Sequence, residues 1–252
     1  MTLHVSAIIP TFHRPNWLQR ALNSVAQQTL APSEIVVAND ADGSYEDLVK
    51  QVINKLGLRR VLLIGNSHAR GASGARNTAA EAATEELLAF LDDDDEWLPS
   101  YLHEALQHLE ACKLDVLCTD LLYRFPDGSE RPGKNAPECL KPDLFLTRNP
   151  GLIGSNLIIR RSLYQEIGGF DESLPTLEDM DLGFRMSLHA SIRYQPLRRR
   201  LVRHYHHLGP RLCTPTAEPM RAGVRRFYEL HGQRMSAAQV TEFNRVFAES
   251  TR

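Results

Sequence analysis

Short apolar runs alternate with helical periodicities along the first hundred residues. HVSAIIP (4–10) is rich in β-branched residues, too short for a helix and closed by Pro10, so it predicts a buried strand that ends in the turn TFHRP. Over 16–28 the apolar residues Trp17, Leu18, Ala21, Leu22, Val25 and Ala26 recur at helical spacing, with Asn16 placed as a cap after Pro15. EIVVAND (34–40) predicts a second strand, residues 45–56 a helix and RRVLLIGN (59–66) a third strand. GASGARNTAAEAATEE (71–86) opens on glycines and continues as an alanine-rich helix into the apolar run ELLAFL (86–91). The resulting βαβαβαβ order, with polar residues gathered at the C-terminal ends of strands, predicts an α/β sheet whose ligand crevice lies at those ends.

The second half is less regular. Residues 99–111 have helical spacing, LDVLCTDLLYRF (114–125) reads as a strand, and DGSERPGKNAPECLKP (127–142) is a loop-rich excursion. EDMDLGFRMSLHA (178–190) shows helical periodicity through Met180, Phe184 and Leu188, and 216–252 reads as one or two helices packing on the main body or on a neighbouring subunit.

Composition narrows the function. The chain has 252 residues, enough for one large α/β domain or two small ones, and its net charge of −2 gives no global reason to expect nucleic acid as a partner. Cys112, Cys118, Cys139 and Cys213 lack metal-site spacing and fit reduced, structural thiols, for which the cytoplasm is the default setting. No basic segment leads into a long apolar stretch near the start, and no run long enough to span a bilayer occurs, so neither a secretion signal nor a spanning helix is expected.

FLDDDDEWLP (90–99) carries the sharpest chemistry. Consecutive aspartates leaving a buried strand repel one another unless a cation or hydrogen-bond donors offset their charge, so they read as half of a hard-metal site for Mg²⁺ or Mn²⁺. The competing reading is a solvated acidic turn capping the helix that follows, since acids near a helix N-terminus are favoured by its dipole.

Taken together, VSAIIPTFHRP, EIVVAND, GASGARN, LDDDDEWLP and GGFDESLPTLEDMDLGFRM, in that order, resemble family 2 glycosyltransferases of the GT-A fold. The resemblance implies a Rossmann-like, nucleotide-binding mixed sheet flanked by helices, with C-terminal helices, in an enzyme that uses a nucleotide-sugar donor and a divalent metal and inverts the anomeric carbon. It sets a glycosyltransferase domain at 1–215, divided into a nucleotide-sugar half (1–98) and an acceptor half (99–215) with 127–142 as an insertion or lid, followed by a helical extension at 216–252.

By the same resemblance Pro10, Thr11 and Arg14 surround the nucleoside, and Asp40 contacts the base, commonly uracil, although Asn39 replaces the first acid of the usual pair and Ala41 a usual glycine. Gly71, Gly74, Arg76 and Asn77 pass near the diphosphate, with Arg76 able to pair with phosphate; a tight turn with Arg76 merely exposed is the plainer alternative. Asp92 and Asp94 form the DXD pair, with Asp94 on the metal, Asp92 or Asp93 on the ribose and Asp95 behind them. Asp179, with Arg185 six residues on, matches the general base, while Thr176 and Asp179 also read as a helix-capping pair. In HYHHLGPRL (204–212), His207 and next His206 are placed to complete the metal shell. The run Arg193, Arg198, Arg199, Arg200, Arg203 and Arg211 is either one solvated face or an anion-binding patch that leaves room for peripheral contact with the inner face of a membrane. Trp97 reads as core before it reads as a wall of the sugar pocket. The acceptor is expected to be a hydroxyl of a glycan or lipid-linked intermediate in bacterial surface-polysaccharide synthesis. Two other classes compete: a nucleotidyltransferase, whose expected glycine- and lysine-rich first loop TFHRPNW does not resemble, and a non-catalytic nucleotide- or cation-binding module.

Overall fold

The computed structural model describes residues 3–206 and 214–250. Its middle layer is one nine-stranded mixed sheet. Four strands, β1 (Val5–Thr11), β2 (Glu34–Asn39), β3 (Val61–Gly65) and β4 (Leu87–Phe90), run parallel in the order β3-β2-β1-β4, with Ile8 of β1 opposite Val36 on one side and Phe90 on the other. The helices α1 (Pro15–Ala26), α2 (Gly43–Leu56) and α3 (Ala72–Ala82) make the crossovers. Parallel strands covered on both faces need apolar residues at every position, which is why VSAIIPT is buried throughout.

Beyond β4 the sheet becomes mixed. After the two-residue β5 (Glu96–Trp97) and α4 (Tyr101–Cys112), β6 (Val116–Arg124) carries the short β7 (Glu130–Pro132) on part of its length. Strand β8 (Leu157–Arg160) pairs antiparallel with both β4 and β6, and β9 (Tyr194–Tyr205) pairs parallel with β6 and antiparallel with β5. Between them lie α5 (Pro142–Leu146), α6 (Arg161–Glu166) and α7 (Glu178–Ser187).

One face of the sheet packs Ala7, Ile9, Val37 and Leu117 against α1, α2 and α4; the other packs Ile8, Val36, Phe90 and Cys118 against α3, α5, α6 and α7. A third cluster, Met180, Met220, Val224, Phe227, Phe243 and Phe247, fastens α8 (Glu218–His231) and α9 (Ala237–Val246) onto α7.

Two local expectations are corrected, and the two readings of the arginine run are narrowed. Helix α1 starts at Pro15 with Arg14 at its N-cap, so Asn16 lies inside the first turn and does not cap it. Trp97 lies in β5 and α4 starts only at Tyr101, so the tetra-aspartate stretch is not the N-cap of that helix. The arginine-rich segment is a twelve-residue strand whose charges are met from neighbouring elements: Arg203 pairs with Glu96 at 2.8 Å and Glu130 at 2.6 Å, Arg198 with Asp120 and Glu138, and Arg199 with Glu104 at 3.3 Å. With Arg193 on Asp115 and Arg200 on Asn135, the described part of the run is a set of paired rungs and not an open basic patch. Cys112, Cys118 and Cys139 are free thiols, and no helix among the described residues is long and apolar enough to cross a membrane.

Candidate active site

The chain leaves β4 through a tight turn in which the Asp95 N–H donates to the Asp92 carbonyl at 3.1 Å. It is anchored below by Trp97, which stacks on Tyr101 at 4.7 Å and donates its indole N–H to the Ser155 carbonyl at 3.0 Å, the core role expected of it. The turn sorts the four carboxylates. Asp93 and Asp95 point inward, with side chains 6% and 1% exposed, while Asp92 and Asp94 face outward at 25% and 28%.

Asp93 accepts from Thr11 Oγ1 at 2.9 Å, Arg14 Nη1 at 3.2 Å and the Phe12 N–H at 3.4 Å. Asp95 accepts the Tyr205 N–H at 3.1 Å and lies 3.0 Å from His204 Nδ1. One carboxylate oxygen from each of Asp92, Asp94 and Asp95 falls within 4.8 Å of the others. Burial, followed by the charges of Asp95, Asp92 and Asp93, pushes Asp94 up to about 7, and burial raises Asp93 to about 6 against the pull of Arg14. Burial also acts to raise Asp95, but His204 and its hydrogen bonds outweigh it and hold that carboxyl low. Each aspartate also meets a cation, Arg76 at Asp92, Arg14 at Asp93 and Asp94 and His204 at Asp95, and the carboxylate oxygens that Asp92, Asp94 and Asp95 bring together are the hard donors that fit a divalent cation such as Mg²⁺ or Mn²⁺.

Arg76 joins this cluster to the second acidic group. It is 3% exposed on α3, contacts Asp92 Oδ1 at 2.6 Å and Glu178 Oε1 at 3.0 Å, and lies over the Phe170 ring at 4.8 Å. Gly154 lies close beneath it, where a Cβ would approach Arg76 Nε to 3.1 Å and press on the guanidinium. The guanidinium is thus enclosed between two carboxylates, which excludes the reading of an exposed turn residue.

Glu178 and Asp179 open α7. The N-cap is Leu177, in the left-handed region at φ 65°, with no side-chain capping bond, and Thr176 Oγ1 donates instead to the Pro219 carbonyl at 3.3 Å. The expected Thr176–Asp179 capping pair therefore does not form. Asp179 Oδ1 is buried without a hydrogen-bond partner among the described residues. Burial, then the Glu178 charge, hold the Asp179 carboxyl well above the usual range; Arg76 and the Gly154 N–H pull the other way. Arg185, six residues on, is occupied by Asp181 at 2.7 Å and the Ile167 carbonyl at 2.6 Å.

At the C-terminal ends of β2 and β3, Asn39, Asp40, Asn66, His68 and Arg70 line a cleft of about 260 Å³. The Asp40 carboxylate accepts from Asn66 Nδ2 at 2.6 Å and the Gly71 N–H at 2.9 Å, so it organises the cleft wall. Asn39, standing where an acid is usual, folds its Oδ1 onto the Ala41 N–H at 2.9 Å. Gly74 serves internal packing, because a Cβ would fall 1.9 Å from the Ala69 carbonyl oxygen. Asn77 likewise ties α3 to the Phe170 carbonyl at 2.9 Å and Glu172 at 2.7 Å.

Pro10 and Thr11 are buried at the end of β1, and Thr11 and Arg14 reach the acidic cluster rather than the cleft. His206 packs at 4.6 Å from Tyr123 and 4.9 Å from Phe125, while His207, Arg211 and Cys213 lie outside the described residues. Sequence reasoning missed Ser155 and His204 as members of the site and gave Glu178, a candidate acid beside Asp179, no role of its own. Glu178 immediately precedes Asp179 and His204 opens the run HYHHLGPRL, so both were within reach; Ser155 carried no local signal.

A parallel half joined to a mixed half, with an acidic cluster at the end of β4 and a buried acid on α7, is the arrangement expected of the GT-A fold. Residues 6–168 match the family described as Glycosyl transferase family 2, and the chain belongs to that family. It is 27% identical over 241 residues to the protein of Escherichia coli K12 named "Putative colanic acid biosynthesis glycosyl transferase WcaA", covering 93% of this chain and 83% of that one. It is 37% identical over 98 residues to the E. coli β-1,3-glucosyltransferase WfgD, covering 39% of this chain and 38% of WfgD. The structure of S. aureus TarS 1-349 in complex with UDP-GlcNAc superposes with a TM-score of 0.67 at 19% identity, covering 99% of this chain and 82% of that one, a likeness of fold.

Proposed function

We propose that this enzyme is an inverting, divalent-metal-dependent glycosyltransferase that moves a sugar from a UDP-sugar to a hydroxyl of a polysaccharide or lipid-linked glycan intermediate. The observation that carries the reading is the Arg76 bridge, which sets the outward carboxylates of the β4 turn beside the buried acid of α7. WfgD is named as a UDP-Glc:alpha-D-GlcNAc-diphosphoundecaprenol glucosyltransferase, and a Campylobacter jejuni relative as a GalNAc(5)-diNAcBac-PP-undecaprenol β-1,3-glucosyltransferase. The same donor and acceptor classes are proposed here, with the enzyme working at the inner face of a membrane.

In this mechanism the cleft walled by Asp40 receives the base and ribose, and Asp92 and Asp94 hold Mn²⁺ or Mg²⁺. The bound metal supplies positive charge where the leaving diphosphate gains negative charge. Thr11 and Arg14 act through Asp93, fixing the turn from below. Arg76 keeps Asp92 oriented and favours the ionised form of Asp179. Asp179 takes the proton of the acceptor hydroxyl as that oxygen attacks the anomeric carbon opposite the leaving group, and a single displacement inverts the centre. His207 is assigned to the metal shell by resemblance alone.

The base assignment is tested with Asp179→Asn, in an assay of sugar transfer or of UDP release over a panel of UDP-sugars. Turnover is expected to fall by about a thousandfold, with UDP and Mn²⁺ affinity retained. Turnover close to wild type would remove Asp179 from the mechanism.

A further inference from the structure

Residues between Lys134 and Pro150, with Arg198, line a second, open groove of about 650 Å³ that the mechanism above does not use. Its volume falls in the range of small-molecule sites. Ala136, Pro137, Leu144 and Pro150 give it apolar walls, with Leu144 36% exposed, and Lys134, Lys141 and Arg148 bring cationic groups to the same lining. Arg198, also on the wall, is neutralised by Asp120 and Glu138, and Arg148 is met by Glu242 of α9 at 2.5 Å. Lys134 and Lys141 have no carboxylate partner among the described residues; Lys134 Nζ donates only to the Asn149 carbonyl, at 3.0 Å. Partial burial, then the neighbouring Arg148 guanidinium, hold the Lys134 ammonium below the ordinary lysine pKa, a repulsion that a bound anion relieves.

The groove is joined to the base through the chain. Asn149 Oδ1 accepts from the Gly151 and Leu152 N–H groups at 2.8 and 3.0 Å, and the same segment places the Gly154 N–H against the Asp179 carboxyl. On the other wall Phe145, next to Leu144, packs so tightly on Gly183 of α7 that a Cβ there would fall 2.2 Å from the ring.

We propose that this groove receives the diphosphate headgroup of a lipid-linked acceptor, with Lys134 and Lys141 on the phosphates and Pro137 and Leu144 against the first part of the lipid chain, which directs the acceptor sugar toward Asp179. The proposal rests on the glycosyl transfer argued above and adds the site and the residues that recognise the lipid-linked acceptor. Paired cations suit phosphate oxygens, and the apolar walls suit the adjoining hydrocarbon.

The test is calorimetric titration of farnesyl diphosphate into the full chain in EDTA, which keeps metal out of the acidic cluster and makes the result independent of the donor site. Farnesyl diphosphate is expected to bind, Lys134→Ala with Lys141→Ala to weaken it by about tenfold or more, and Lys134→Arg with Lys141→Arg to retain it. Because both lysines line an open groove, the alanine variant should keep the wild-type thermal midpoint and bind UDP with Mn²⁺ as wild type does; loss of UDP binding by wild type and variant alike would count against the donor reading and not against this one. Absence of binding to the wild type, binding unchanged by the alanine pair, or equally tight binding of inorganic pyrophosphate would overturn the lipid-linked assignment.

Discussion

The two acids of the proposed chemistry, Asp94 and Asp179, differ in what surrounds them, and so in what pH does to them. Asp94 is outward-facing, pushed up to about 7 by burial and three neighbouring aspartates. A metal can bind only its carboxylate, so protons and metal compete for it. Mn²⁺ affinity should therefore drop by about tenfold per pH unit below that value and level off above it, which calorimetry across the neutral range would check; affinity independent of pH would mean that Asp94 is not a ligand. At this scale LDDDDEW displayed the ingredients but not the sorting. Its alternation, Asp92 and Asp94 outward with Asp93 and Asp95 inward, depends on Thr11, Arg14 and His204, which come from distant parts of the chain. His204 shows the same limit: among neighbouring histidines, only the register of β9 decides which one meets Asp95.

At the scale of elements, α7 carries Asp179 and is held from behind by the C-terminal helices. Asp181 of α7 lies 2.9 Å from His231 Nε2 of α8 and 2.7 Å from Arg185, and a Cβ on Gly223 of α8 would strike Thr176 Oγ1 at 2.1 Å. Burial acts to raise Asp181, but His231 and Arg185 outweigh it and hold the carboxyl below the usual range. Asp181→Asn should therefore cost about 2 kcal/mol at neutral pH. With the folded pKa depressed, that difference is fully present above the unfolded value of about 3.9 and is lost as pH falls through the lower folded value. Urea unfolding of both proteins against pH would show it; a difference that grew on acidification would contradict the pairing. The helices of this region were legible from their spacing, as in Met180 and Phe184. Strand β9 was not, because PLRRRLVRH has no apolar alternation strong enough to announce a strand, and the acids that make it tolerable, Glu96, Glu104, Asp120 and Glu130, lie on other elements.

Across the whole molecule, the parallel half could be read almost strand by strand, since each connection is short and each strand is a compact apolar run, buried in β1, β2 and β4 and partly exposed at the edge strand β3. The mixed half could not, because the antiparallel insertion of Leu157–Arg160 between β4 and β6 is a long-range pairing with no local signature. That insertion matters for the site: it makes the parallel and mixed halves one continuous sheet, so the acidic turn after β4 and the acid of α7 are fixed relative to each other through Ser155, Gly154 and Arg76. The central claim about this assembly is that the outward aspartates bind a donor diphosphate through a metal. Calorimetric titration of UDP with Mn²⁺, repeated in EDTA and on Asp94→Ala, tests it most directly. Binding by the wild type with Mn²⁺, abolished both by EDTA and by the substitution, is the predicted result; UDP binding indifferent to metal and to Asp94, or no metal-dependent binding of UDP, GDP or dTDP, would contradict it.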